Sequence, residues 1–322
     1  MDYRKNLLVL FLSAAVLFAS AFHTVKDRVP LKFNDQIKNI GLYLTKPREI
    51  KGLEVTPDIV AWFDNWYGPI STNKLDILAK NMSATPFITW QPKDISLREI
   101  AAGKHDAYIE SYLDEVTHHA KGMDVLLRFA HEMEMRPKYR DSWYSWQNEG
   151  PEAYIAAWRH VVSIGRKINP NIFWVWSPNR SDKYSEPFYP GDEHVDYVGI
   201  TLNLRDHYEF HYETFREFYE KEGIRKHLES YGKMIIITEV AYSSEDKEEK
   251  THYLRSIFDH YLDDPAIAGI VFFNDNIEEY RQYKITDDKQ YKSEFFNGVR
   301  RIFDYRKENG LIRDESGWIQ TK

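Results

Sequence analysis

The 322-residue sequence contains no cysteine. That absence excludes disulfides, thiolate metal sites, a cysteine nucleophile and a lipid anchor joined through cysteine. Walker A and G-x-S-x-G patterns are missing too, and no H-E-x-x-H occurs, because His131-Glu132 is followed by Met133 and Glu134. Glu115-x-x-His118, followed by His119, is half of a di-iron helix motif. One copy cannot hold two metals, so these residues read as a solvated helix face. No metal or organic cofactor is expected. Positive charge is in deficit: the net charge is −7, spread along the chain, which argues against nucleic acid and anionic membrane surfaces as partners. Linkers, low-complexity tracts and composition breaks are also absent, so the chain reads as a single domain.

Only one apolar run stands apart. Arg4 and Lys5 precede an apolar stretch over 7–18, and Ala19-Ser20-Ala21 follows as an A-x-A cleavage pattern. The stretch is short for a membrane span. Residues 1–21 therefore read as a cleaved export signal, with an uncleaved membrane anchor as the alternative. The mature chain, 22–322, is expected to act as a secreted monomer that meets a membrane only if the signal remains.

Aromatic residues are abundant, with 9 Trp and 22 Tyr, and flat aromatic faces suit sugar rings as well as cores. Eight strand-like runs can be read at 39–44, 58–65, 84–92, 124–133, 172–179, 195–203, 234–242 and 267–275. Most are separated by stretches of helix length. Tyr108, Tyr112, Leu113 and Val116 share a helical stripe over 105–121, and Pro151 opens another helix carrying Tyr154, Ile155, Trp158, Val161 and Val162. Further helices are predicted over 211–231, 245–263 and about 291–308. Segment 180–194 is too interrupted by Pro and Gly for a long helix. Alternation of this kind predicts an α/β fold of parallel strands, and eight repeats predict a closed (β/α)8 TIM barrel with its core over about 39–310. An open doubly wound sheet would want a glycine-rich turn after its first strand, which Gly41-Leu42-Tyr43 does not supply.

The fourth and seventh runs each end in glutamate, Glu132 and Glu239. Strand alternation puts Arg128, Ala130 and Glu132 on one face and Leu127, Phe129 and His131 on the other. Two glutamates at the C-terminal ends of strands four and seven would face each other across a barrel mouth, the arrangement that hydrolyses a glycosidic bond with retention. One carboxyl donates a proton to the leaving oxygen and the other attacks the anomeric carbon. Desolvation by an apolar surround would raise the pKa of whichever carboxyl donates, and Arg128, Tyr208 or Tyr242 would favour the ionised form of the one that attacks.

The residues resemble glycoside hydrolase family 26, mostly β-mannanases within the clan of (β/α)8 retaining glycosidases. The resemblance spans about 39–276. It rests on Ile88-Thr-Trp-Gln-Pro92, Ala101-Ala-Gly103, Arg128-Phe-Ala-His-Glu-Met133, Trp143-Tyr-Ser-Trp146, Ala157-Trp-Arg-His160, Trp174-Val-Trp-Ser-Pro-Asn179, Val195-Asp-Tyr-Val-Gly199 and Ile237-Thr-Glu239. It implies that Glu132 is the acid/base, that Glu239 is the nucleophile, that His131 binds sugar beside the cleavage point and that Trp143 belongs to a sugar platform. Trp146, Trp90, Asn203, Phe272 and Arg128 are further candidates for substrate binding. Trp176 and Asn179 divide evenly between core and cleft.

Several positions depart from that family. Glu134-Met135 follows His-Glu-Met where Asn-Gly is usual, and about six extra residues precede Trp143. Thr201-Leu202-Asn203 stands in place of Asp-x-Tyr, Phe272-Phe273-Asn274 lacks the usual Trp, and Gln91 replaces a common Glu. Both glutamates persist, so the expectation is a secreted retaining endo-β-glycanase with shifted specificity, acting on mannan, glucomannan, a β-glucan, a β-1,3-xylan or a bacterial exopolysaccharide. The alternatives are a non-catalytic polysaccharide-binding or assembly protein and an exopolysaccharide-remodelling transglycosylase.

Overall fold

Eight parallel strands close into a barrel in sequence order in the computed structural model, with β1 (Asn39–Tyr43) hydrogen-bonded to both β2 (Ile59–Asn65) and β8 (Ile267–Phe272). The structure describes residues 32–46, 49, 57–81, 84–135, 144–179, 181–205, 212–278, 281–314 and 317–320. The export-type segment, Trp143 and Tyr208 lie outside them.

After β2 the order runs α1 (Thr72–Asn81), β3 (Thr85–Gln91), α2 (Leu97–Ala101), α3 (Asp106–Ala120), β4 (Val125–Phe129), α4 (Gly150–Ile168), β5 (Ile172–Trp176) and β6 (Tyr197–Arg205). It continues with α5 (Phe215–Lys221), α6 (Ile224–Glu229), β7 (Ile235–Ser243), α7 (Lys247–Asp263), β8 and α8 (Lys289–Glu308). The segment before β6 carries only short 3-10 turns. The single helix expected over 211–231 is instead two, because Gly223 adopts a left-handed φ of 71° between them. Local signals start α4 and α7: Pro151 lies in the first turn of α4, and the Asp246 side chain accepts from the amides of Glu248 and Glu249 to cap α7.

Both strand faces are buried, and two core layers result. Ile59, Phe87, Leu126, Val175, Ile236 and Val271 fill the barrel itself. The alternate side chains, among them Trp62, Trp90, Leu127, Phe129, Trp176 and Phe272, pack against the surrounding helices. The bottom of the barrel is sealed from α8, where Arg306 pairs with Asp58 and donates to the carbonyls of Ile37 (2.8 Å) and Lys38 (2.9 Å).

Two local departures from regular strand geometry shape the opposite end. In β7 Ile237 pairs with Ile200 but Glu239 pairs with Thr201, so Thr238 is a bulge residue. Gly199 leaves the space that the bulge fills, since a Cβ there would lie 2.5 Å from the Thr238 methyl. After β4, Ala130 and Glu132 take left-handed φ values of 44° and 54°. Strict alternation to Glu132 therefore fails, and His131 leaves the outward face occupied by Leu127 and Phe129.

Candidate active site

Arg128 anchors the mouth of the barrel from below. It is 1% exposed, and its three nitrogens donate to Thr89 Oγ1 (2.9 Å), Thr238 Oγ1 (3.0 Å) and Glu239 Oε1 (2.5 Å). Thr238 Oγ1 in turn donates to the Ile200 carbonyl at 2.9 Å, and Ser177 Oγ lies 2.8 Å from it. One donated and two accepted bonds use the full capacity of that hydroxyl. The bulge allows this, because it turns consecutive residues Thr238 and Glu239 towards the same guanidinium. Glu239 Oε2 accepts from Asn203 Nδ2 at 3.0 Å, so both of its oxygens have a donor. The Tyr242 phenol plays no part here: it donates to Glu249 Oε1 at 2.6 Å on the helix side of the sheet.

Glu132 reaches the mouth through the left-handed turn, a conformation that costs a non-glycine residue roughly 1–2 kcal/mol. Neighbouring groups hold it there. The Glu132 amide donates to the Ser177 carbonyl at 2.9 Å, its carbonyl accepts from Gln147 Nε2 at 2.7 Å, and the His131 carbonyl accepts from Trp146 Nε1 at 2.8 Å. Asn179 Nδ2 donates to Glu132 Oε1 at 3.3 Å. Burial, reinforced by the charge of Glu239, raises the Glu132 pKa to about 7, against the opposing pull of Arg128, Thr201 and Asn179.

His131 stands beside the pair, with its ring 5.5 Å from Phe63, 5.1 Å from Tyr144 and 5.9 Å from Trp146. Burial and the positive charge of Arg128 hold its pKa well below the usual histidine value, so the ring is neutral. Its Nδ1 has no partner among the described residues. One ligand atom from each of His131, Glu132 and Glu239 lies within 4.8 Å of the others. Among the described residues this is the one cluster with a metal-ligating composition. Arg128 already sits on Glu239 as its cation, and a second positive charge would be repelled there. The set therefore suits proton transfer and nucleophilic attack better than metal binding.

Three of the expected substrate contacts are corrected by the strand phase. Trp90 is fully buried and stacks on Tyr112 at 4.1 Å, Trp176 packs edge-on against Tyr189 and Tyr231, and Phe272 packs against Phe258 and Phe295. All three point to the helices. Trp146 is also fully buried, and it backs Tyr144, which stacks on it at 4.3 Å and 5°. The aromatic residues at the mouth are ones that the sequence reading passed over. Tyr144 lies among Glu132, Glu239 and Arg128, and Tyr43 stacks on Phe273 at 4.9 Å beside Phe63. Burial and the neighbouring carboxylates push the Tyr43 and Tyr144 phenols well up, leaving both as donors. Once the strands are in register, Gly41 and Val271 line the barrel two residues before Tyr43 and Phe273 and so place those two rings at the mouth.

Comparison with known proteins adds the following. Residues 84–241 match the family described as Glycosyl hydrolase family 26. Endoglucanase H of Acetivibrio thermocellus is 28% identical over 306 residues, covering 85% of this chain and 31% of that protein. Mannan endo-1,4-beta-mannosidase A and B of Caldalkalibacillus mannanilyticus is 34% identical over 99 residues, covering 27% of this chain and 18% of that protein. The chain thus spans a third or less of the length of these relatives. A Cellulomonas fimi endo-beta-1,4-mannanase double mutant superimposes with a TM-score of 0.58 at 14% identity, covering 82% of this chain and 71% of that one. At that identity the likeness establishes the barrel fold alone.

Proposed function

The chain belongs to glycosyl hydrolase family 26, and we propose that it is a retaining endo-β-glycanase in which Glu132 is the acid/base and Glu239 the nucleophile. Glu239 attacks the anomeric carbon while Glu132 gives its proton to the departing glycosidic oxygen. A water then enters, loses a proton to Glu132 and displaces Glu239, returning both carboxyls to their starting states. The observation that carries this reading is the asymmetry of the pair. Glu132 is buried with a pKa raised to about 7, as a proton donor near neutrality requires. Glu239 is fastened by Arg128 and Asn203 within 4.8 Å of it. An approach that close between one oxygen of each is compatible with the roughly 5–5.5 Å of a retaining pair and shorter than the roughly 6.5–9.5 Å of an inverting one.

His131 and Tyr144 are proposed to bind the sugar at the cleavage point, with Phe63, Tyr43 and Phe273 continuing the wall from the His131 ring. The longer match is to an endoglucanase, 306 residues against 99 for the mannosidase, which favours a β-glucan over mannan as the first polymer to test. Export by residues 1–21 belongs to the same reading; among the described residues no helix is long and apolar enough to cross a membrane.

Product release by the mature protein on mixed-linkage β-glucan, glucomannan and mannan, alongside Glu239→Ala, tests the proposal. Turnover abolished in the variant, with the first wild-type product carrying the β-anomer, is the expected outcome. An initial α-anomer, or turnover surviving in Glu239→Ala, would sink it. Asn203, which stands where the family has Tyr on strand six, donates to Glu239, so that departure does not favour a non-catalytic binding protein.

A further inference from the structure

A 3-10 turn over Ser145–Asn148, entered from Tyr144, is fastened to the mouth of the barrel through consecutive side chains. Ser145 Oγ accepts from the Asp94 amide at 2.9 Å and donates to the Pro92 carbonyl at 3.4 Å, which ties the turn to the exit of β3. Trp146 stacks on Tyr144 and donates to the His131 carbonyl at 2.8 Å. Gln147 is 6% exposed, and its amide is bonded in both directions. Its Nε2 donates to the Glu132 carbonyl at 2.7 Å, while its Oε1 accepts from the Tyr144 amide at 3.3 Å.

The carbonyls of His131 and Glu132 belong to the turn in which Ala130 and Glu132 hold left-handed φ values. Non-glycine residues persist in that conformation only where the surrounding structure over-determines it. Here the restraints are the bond from the Glu132 amide to the Ser177 carbonyl and the two bonds from Trp146 and Gln147. Of these three, the Gln147 side chain is the one that joins Glu132 to Tyr144. Both bonds need a donor and an acceptor at one side-chain tip: an ionised carboxylate has no donor, and a thioether has no donor and accepts weakly. Tyr144 does not rely on that side chain for its own place. Its ring stacks on Trp146 at 4.3 Å, and its carbonyl accepts from the Gln147 backbone amide at 3.2 Å. Loss of the Gln147 side-chain amide therefore falls on Glu132.

We propose that Gln147 is a positioning residue, which fixes the backbone of the proton donor Glu132 to the turn that presents the sugar-binding Tyr144, so that donor and sugar keep one geometry. This rests on the glycanase reading, in which Glu132 protonates the departing oxygen and Tyr144 binds the sugar at the cleavage point.

The test measures kcat/KM for Gln147→Met and Gln147→Glu, below the thermal transition of each, on a polymer and on an activated aryl glycoside of the same sugar. A polymer's leaving group needs the proton of Glu132, whereas an activated aryl leaving group departs without it. Polymer kcat/KM should fall by about tenfold to a hundredfold in both variants, with the aryl glycoside almost unchanged. In Gln147→Met the released Glu132 regains solvation, so its raised pKa drops back towards the ordinary glutamate value and the basic limb of the polymer pH profile moves to lower pH. Gln147→Glu preserves size and the acceptor for Tyr144, so it carries the comparison between the two substrates if Gln147→Met does not fold. An equal loss on polymer and aryl glycoside, no loss on polymer, or an unmoved basic limb in a folded Gln147→Met overturns the proposal. Wild-type product release and Glu239→Ala are measured alongside. A wild type that is active and silenced by Glu239→Ala, with Gln147 variants that fail this split, removes the positioning role alone; a wild type that is silent on every polymer removes the glycanase reading and this proposal with it.

Discussion

Glu132 and Glu239 are the same residue type a few ångströms apart, and their surroundings make them different. Glu132 is flanked by a backbone turn, the Tyr144–Trp146 stack and Asn179, with burial as the dominant influence on its proton. Glu239 is tied to a guanidinium and an amide. With its folded pKa near 7, Glu132 is protonated below neutrality and donates less as pH rises, so kcat/KM should fall on the basic side with a midpoint near 7. Glu132→Gln should abolish that limb and slow polymer turnover by about 10²–10⁴-fold, yet spare activated aryl glycosides whose leaving group needs no proton. The same shift has a stability consequence. The folded state binds this proton more tightly than the unfolded chain, so stability is lost as pH climbs from the ordinary glutamate value towards 7. Thermal midpoints should therefore show Glu132→Gln gaining on the wild type between pH 5 and pH 8; a constant gap would refute the raised pKa. Arg128→Met should cost about 3–5 kcal/mol in chemical denaturation, because it strands a buried carboxylate.

At the scale of elements, the site depends on two interruptions of regular strand geometry. The β7 bulge aims both Thr238 and Glu239 at Arg128, and the left-handed turn after β4 carries both His131 and Glu132 to the mouth. Gly199 is the space on which the bulge depends. Gly199→Ala, whose Cβ would meet the Thr238 methyl at 2.5 Å, should cost about 1–3 kcal/mol and lower kcat more than it alters KM. A variant with an unchanged denaturation midpoint and unchanged kcat would show that the bulge tolerates the methyl.

At the scale of the whole molecule, the two ends of the barrel have separate tasks. The C-terminal ends of the strands carry the proposed acid/base and nucleophile, and the opposite end is fastened by Arg306 from α8 to Asp58 and the β1 entry. Arg306→Ala should therefore lower stability by about 3–5 kcal/mol while leaving KM on polymer unchanged below the unfolding transition. A raised KM with stability intact would mean that the far end of the barrel is coupled to the cleft.

The barrel was legible in the sequence because apolar strand-length runs alternate with helical stripes, and that pattern alone determines which segments pair and in what order. The placement of Glu132 and Glu239 at the mouth was legible for the same reason, since each is a lone carboxylate closing such a run. The facing of the aromatic residues was not. In a parallel barrel both strand faces are buried, so Trp90, Trp176 and Phe272 look the same in sequence whether they point to the cleft or to the helices. Only the closed register put them outward and left Tyr43, Tyr144 and Phe273 at the mouth. The bulge and the left-handed turn were equally hidden, because each is decided by contacts between distant strands: Gly199 against Thr238, and Ser177 and Gln147 against the backbone of Glu132. Local sequence determined the elements and put a carboxylate at the ends of two of them; long-range packing decided which side chains meet those carboxylates.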